Sequence, residues 1–150
     1  MLQLILQFIF SALAAVAFGI LTNVKKQLLK HCAMIGGISW CIYYLCLLFE
    51  VNVFIAAFVS SFCIQMLSLL TAKRVKVPGS NLSVAALVSI VPGGTAYEVV
   101  RYLVESNDDL ALDSFIKLVA ITASISIGFL IASFVIQTPK IFGKELMRKD

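Results

Sequence analysis

What this sequence most lacks is charge. Only 13% of its 150 residues are Asp, Glu, Lys or Arg, about half the share found in soluble domains. It has one histidine, and its four cysteines form no Cys-x-x-Cys pair. These absences leave no His/Cys/Asp/Glu cluster for a metal and no nucleophile–base pair, so no enzyme is expected, and neither cofactor nor metal. What fills the chain is apolar. Hydrophobic residues make up 61% and the mean hydropathy is +1.01. So short a chain has too much surface to hide that many apolar side chains from water, and it is far too apolar to be disordered. An integral membrane protein remains, with the lipid bilayer as its first partner. The net charge of +4 would point to nucleic acid in a soluble protein; here the placement of the charges decides, and no nucleic acid is expected.

A membrane crossing needs about 20 mostly apolar residues. Five stretches qualify: 2–21, 31–49, 51–71, 82–104 and 110–136. The expected fold is therefore an all-α integral membrane protein, one transmembrane domain over 1–150 with five helices. The connectors alternate in sign. Lys25, Lys26 and Lys30 follow the first span, and Glu50 follows the second. Lys73, Arg74 and Lys76 follow the third, and Glu105, Asp108, Asp109 and Asp113 follow the fourth. Lys140, Lys144, Arg148 and Lys149 lie in the tail. Short Lys/Arg-rich loops stay in the cytoplasm, so the N-terminus is expected outside and the C-terminus inside. The first charge, Lys25, comes after the first apolar stretch. A cleavable signal peptide needs its positive charge before the apolar core, so an uncleaved helix is expected.

Helices in lipid approach closely where small residues recur every four positions. Ser11, Ala15 and Gly19 form such a stripe in the first span. Ala33, Gly37 and Cys41 form one in the second, and Ala120, Ser124, Gly128 and Ala132 in the fifth. One reading is packing within the chain. The other is a face toward another subunit, a homo-oligomer included, for which the fifth-span stripe is the best candidate. Cys32, Cys41, Cys46 and Cys63 read as small apolar packing residues.

The fourth span carries its own interruption, Val91-Pro92-Gly93-Gly94-Thr95. From Leu82 to Val91 is about 15 Å of helix, half of a roughly 30 Å hydrocarbon core. Pro92 removes a backbone donor and crowds the carbonyl of Val88, and the two glycines weaken the helix further. A simple kink rescued by a neighbouring helix is one reading. The other is an unwound segment inside protein or beside a water-filled cavity. If unwound, the free amides of Gly93 and Gly94 and the hydroxyl of Thr95 suit a substrate carboxylate. Tyr97, Glu98 and Arg101 follow on the outward half, with Glu98 and Arg101 spaced to pair. Arg101 and Lys117 read either as site residues or as interfacial snorkelling groups. Ser60, Ser61, Gln65, Ser68, Thr122 and Ser126 are polar candidates for a cavity wall. Transporters commonly place substrate at such midplane breaks, between two repeats. This chain has one break and no second copy, so it reads as half of such a machine.

These segments carry a resemblance. Asn23-Val24, Cys32-Ala33-Met34-Ile35-Gly36-Gly37-Ile38 and, above all, Val91-Pro92-Gly93-Gly94-Thr95-Ala96-Tyr97 resemble the smaller, C-terminal-type membrane unit of the threonine/serine exporter family. The likeness runs over nearly the whole chain. Lys25 stands where a proline is expected, and the charged Glu98 and Arg101 also depart from the pattern. The resemblance implies secondary export across the bacterial cytoplasmic membrane. Threonine and serine are the namesake substrates, and a related split pair is associated with succinate. It also implies a larger partner subunit carrying a cytoplasmic domain. A structural subunit that only braces a partner and a small self-associating pore are the competing functions.

Overall fold

The computed structural model describes the backbone of residues 2–146 and the side chains of 3–136. It is all α: α1 (Leu2–Leu21), α2 (Lys26–Leu48), α3 (Val53–Val75), α4 (Ser80–Leu87), α5 (Gly93–Val104) and α6 (Asp108–Leu146). Four of these, α1, α2, α3 and α6, are long and apolar enough to cross a membrane. The stretch expected as a single fourth crossing, 82–104, is two helices instead. At 8 and 12 residues they are about 12 and 18 Å long, so neither spans a bilayer alone. α2, α3 and α6 overrun their apolar windows. α2 starts at Lys26 rather than His31, and α3 runs through Lys73 and Arg74 to Val75. Charged side chains at a helix end do not stop backbone hydrogen bonding; they only leave the hydrocarbon.

Four helices stop the same way. Asn23, Glu50, Lys76 and Ser106 adopt left-handed backbone conformations with φ between 53° and 57°. After α1, Val24 N–H reaches Gly19 O at 2.8 Å and Asn23 N–H reaches Ile20 O at 3.1 Å. α2 and α5 close alike, through Val51 to Cys46 (3.0 Å) and Asn107 to Tyr102 (2.9 Å). These crossed bonds satisfy end carbonyls that lipid could not.

Side-chain pairs set the helix directions. Ser11 Oγ donates to Gly36 O at 3.0 Å, and Trp40 Nε1 to Gln7 Oε1 at 2.6 Å. Rising numbers in α2 thus meet falling ones in α1, and the pair is antiparallel. α3 and α6 are parallel: Gly128 abuts Phe58 to Phe62, and Gln65 Nε2 donates to Ser133 Oγ at 2.9 Å. Among the described residues α4 packs on α1, α2 and α3, whereas α5 packs on α6 alone. The core lies around α4, where Leu82, Ala85 and Ala86 are fully buried beside Leu28, Cys32, Ile64 and Ala72.

The small residues meet neighbours within the chain. A Cβ on Gly37 would sit 2.6 Å from the Phe8 ring, and one on Gly19 would meet Leu29 and Ala85. Ala15 and Ala132 are wholly buried. A Cβ on Gly128 would strike Ser61 Oγ and the Phe58 carbonyl, while Ala120 and Ser124 are half-buried on the same helix. At Gly128 the fifth-span stripe, singled out as a face for another subunit, meets α3. Backbone contact between α3 and α6 needs a glycine there, and the spacing alone does not say which chain supplies the second helix.

Charge is segregated. The α1–α2 turn adjoins the start of α4, since Thr22, Asn23 and Val24 share a cavity of about 230 Å³ with Ser80, Asn81 and Val84. Lys25, Lys26, Lys30, Lys73, Arg74 and Lys76 therefore gather at one end, and Glu50, Glu105, Asp108, Asp109 and Asp113 at the other. The tail residues Lys140, Lys144, Arg148 and Lys149 lie outside the residues whose side chains are described.

Candidate functional site: the interrupted helix

Between α4 and α5 the backbone abandons the helix over residues 88–92. Ser89 N–H bonds Ala86 O at 3.2 Å and Ile90 N–H bonds Leu87 O at 3.0 Å, so the last turn tightens to a three-residue pitch. Pro92 then sits at φ −77°, ψ 56°, with Gly93 N–H bonded back to Val91 O at 2.8 Å. That is an inverse γ-turn centred on proline. α5 begins with Ala96 N–H to Pro92 O at 3.0 Å.

Two sets of backbone groups are left over. Among the described residues the carbonyls of Val88, Ser89 and Ile90 receive no backbone donor, and the amides of Val88, Val91, Gly94 and Thr95 find no acceptor. Pro92 explains the first member, because it lacks the N–H that Val88 O would accept four residues on. The turn therefore opposes a carbonyl-rich helix end to an amide-rich helix start. Helix dipoles give these ends partial negative and positive character.

The depth of the turn follows from its neighbours. Ser89 Oγ donates to Ser11 O at 3.4 Å, and a Cβ on Gly36 would sit 2.8 Å from both Ser89 Oγ and Ala15 Cβ. Ser11 and Gly36 are each half-way along their helices. Gly36, outside every four-residue stripe, is thus where α1, α2 and the end of α4 converge. Its signal in the sequence is the Gly36-Gly37 pair, whose two members face different neighbours.

The remaining candidates are spread out. Gly93 and Gly94 are exposed, with open space where a Cβ would go. Thr95 is half-buried, Tyr97 is 68% exposed, and no residue of α5 is buried. Arg101 does not pair with Glu98. Its Nε bonds Glu105 Oε1 at 2.9 Å, one turn further on, and Glu98 stands exposed. The four-residue spacing with Glu105 places the carboxylate better than the three-residue spacing does.

The proposed wall residues do not collect at the turn. Ser60 Oγ donates to Ser39 O at 2.7 Å, joining α2 to α3, and Ser61 Oγ to Phe58 O at 2.9 Å. Gln65 serves the α3–α6 contact. Thr122 and Ser126 are exposed and bond the carbonyls one turn back.

The sequence matches the family model described as "Threonine/Serine exporter, ThrE" over residues 7–135. The chain belongs to the threonine/serine exporter family. Membership makes it a multi-pass membrane protein of a transporter family, in keeping with its long apolar helices. The match includes the interrupted helix and all the residues that pack around it. A Haemophilus influenzae protein described only as uncharacterized is 28% identical over 105 residues. That alignment covers 70% of this chain and 35% of the relative, so the chain spans about a third of the length of the curated relative it matches. No solved structure matches.

Proposed function

We propose that this chain is the smaller membrane subunit of a secondary exporter, moving threonine and serine out across the bacterial cytoplasmic membrane together with a larger partner subunit. The observation that carries the reading is the opposition of the free carbonyls of Val88, Ser89 and Ile90 to the free amides of Gly94 and Thr95 at the start of α5, half-way along α1 and α2. Such backbone groups are costly in lipid and are tolerated beside protein or a water-filled cavity. A zwitterionic amino acid complements both sets. Its carboxylate faces the amides of Gly94 and Thr95 and the start of α5. Its ammonium faces the carbonyls of Val88, Ser89 and Ile90, and Thr95 Oγ1 offers the substrate hydroxyl a partner. In this reading α4 and α5 together make the fourth of five crossings, and the lysine-rich end faces the cytoplasm.

The partner is supported by the length of the Haemophilus influenzae relative, most of which has no counterpart here. Substrate sites in many transporters lie between two repeats, and this chain supplies one. A succinate-type dicarboxylate fits less well. It calls for a second cation, and Arg101, on the same helix as the free amides, is already engaged by Glu105.

The test is coexpression with the larger subunit in cells that lack threonine export. Efflux of threonine is expected from the pair and from neither subunit alone. Replacing Pro92-Gly93-Gly94 with alanines is expected to abolish efflux while the complex still co-purifies. Unchanged efflux removes the turn as the site. Succinate efflux without threonine efflux overturns the substrate assignment and favours the dicarboxylate.

A further inference from the structure

The lysine-rich end holds a second cavity, apart from the α4–α5 turn. It measures about 540 Å³ and is lined by Leu69, Ala72, Lys73, Lys76, Val77, Gly79 and Ile136. Its walls come from the last turns of α3, the α3–α4 connector and α6. The connector is drawn close beneath α3 because Gly79 lacks a side chain: a Cβ there would lie 2.7 Å from Leu69 Cδ2. Lys76, in its left-handed cap conformation at φ 53°, reverses the chain so that its own side chain and that of Lys73 both border the space.

Among the described residues this cavity is positive and has no carboxylate in its lining. Among the described residues every carboxylate of the connectors lies at the opposite end of the bundle, and neither lysine has an ion-pair partner. Not every basic cluster frames a cavity in this way. The space beside the α1–α2 turn is lined by uncharged residues, although Lys25 and Lys26 follow directly in sequence. Leu69, Ala72, Val77 and Ile136 make the rest of the lining largely apolar. The fitting ligand therefore joins an anionic head to an apolar stem and enters at the membrane surface. Basic pockets between transmembrane helices suit phospholipid head groups in this manner. A free carboxylate or phosphate would leave the apolar wall unused.

We infer that this cavity binds the phosphate of an anionic phospholipid, with Lys73 and Lys76 on the head group and the glycerol and first methylenes against Leu69 and Ile136. The inference needs only that the chain lies in a bilayer; it is independent of what the exporter carries.

Native mass spectrometry of the purified chain, delipidated and re-exposed to phosphatidylcholine or phosphatidylglycerol, tests it. One tightly retained phosphatidylglycerol is expected, and no retained phosphatidylcholine. Lys73→Gln with Lys76→Gln should weaken retention roughly tenfold or more, since each lysine near an anionic surface contributes a several-fold factor. Lys25→Gln with Lys26→Gln removes the same charge from the same end and should leave it unchanged. Val77→Trp, which fills the apolar wall without altering charge, should also expel the lipid, and it carries the test if the glutamine variant fails to fold. Equal loss from both lysine pairs overturns the site in favour of diffuse surface attraction. Displacement of the lipid by inorganic phosphate at millimolar concentration overturns the lipid in favour of a free anion.

Discussion

Gly36 and Ser89, 53 residues apart in the chain, are so close that a methyl group on the glycine would lie 2.8 Å from the serine hydroxyl. That hydroxyl bonds the carbonyl of Ser11 at 3.4 Å. Three helices thus meet at one point through a glycine and two serines, and this point holds the end of α4 against α1 and α2.

Gly36→Ala should therefore loosen the bundle although alanine is the better helix former. Overpacking at a close contact costs about 1–3 kcal/mol, and the propensity gain offsets about 1 kcal/mol of it. Thermal unfolding in detergent should show a lower midpoint for Gly36→Ala and a much lower one for Gly36→Val.

Gly128→Ala should cost more than Gly36→Ala. The added methyl would meet the carbonyl of Phe58 at 2.6 Å and the amide nitrogen of Phe62 at 3.2 Å, and backbone cannot rotate aside as a side chain can. Parting α3 from α6 is the alternative, and about 2–3 kcal/mol is expected. The same denaturation assay checks it.

Gly93→Ala and Gly94→Ala should do the reverse. Nothing lies within 4 Å of the added methyl at either position, so stability should hold or rise by up to about 1 kcal/mol. Efflux measured on the same variants separates roles: loss of transport with stability intact places the glycines at the substrate, and retained transport removes them from it.

Gln65 and Ser133 form the one described side-chain hydrogen bond between α3 and α6, at 2.9 Å. Gln65 Oε1 and Ser68 Oγ are buried without partners. Ser133→Ala should destabilise by about 1–2 kcal/mol, because it strands the amide nitrogen as well. Gln65→Leu should cost less, since it removes an unpaired acceptor along with the bond, and Ser133 keeps its bond to Phe129 O. A double-mutant cycle gives the coupling, which membrane hydrogen bonds place at about 0.6 kcal/mol.

Hydropathy made most of this architecture legible. α1 occupies the very residues, 2–21, that carry no charge, and α3 and α6 cover most or all of their apolar windows and run on past the C-terminal ends. The interruption was readable because proline and glycine act locally: Pro92 removes one N–H whatever surrounds it. What depends on the third dimension was not. Leu82 and Tyr97 stand in the same apolar stretch, yet one is wholly buried and the other 68% exposed. Composition cannot separate them, because α4 has three neighbours and α5 has one. Likewise Arg101 had two acidic groups within reach, and only the built helix selects Glu105 over Glu98.

The tight left-handed closures after α1, α2, α3 and α5 leave those connectors almost no slack. A helix held that way at its end cannot ride a full turn past the next one without unravelling its cap. Bending is therefore easiest in the five residues from Val88 to Pro92, where helical hydrogen bonds are missing. The turn that leaves backbone groups unpaired is thus also the place where the described chain resists bending least.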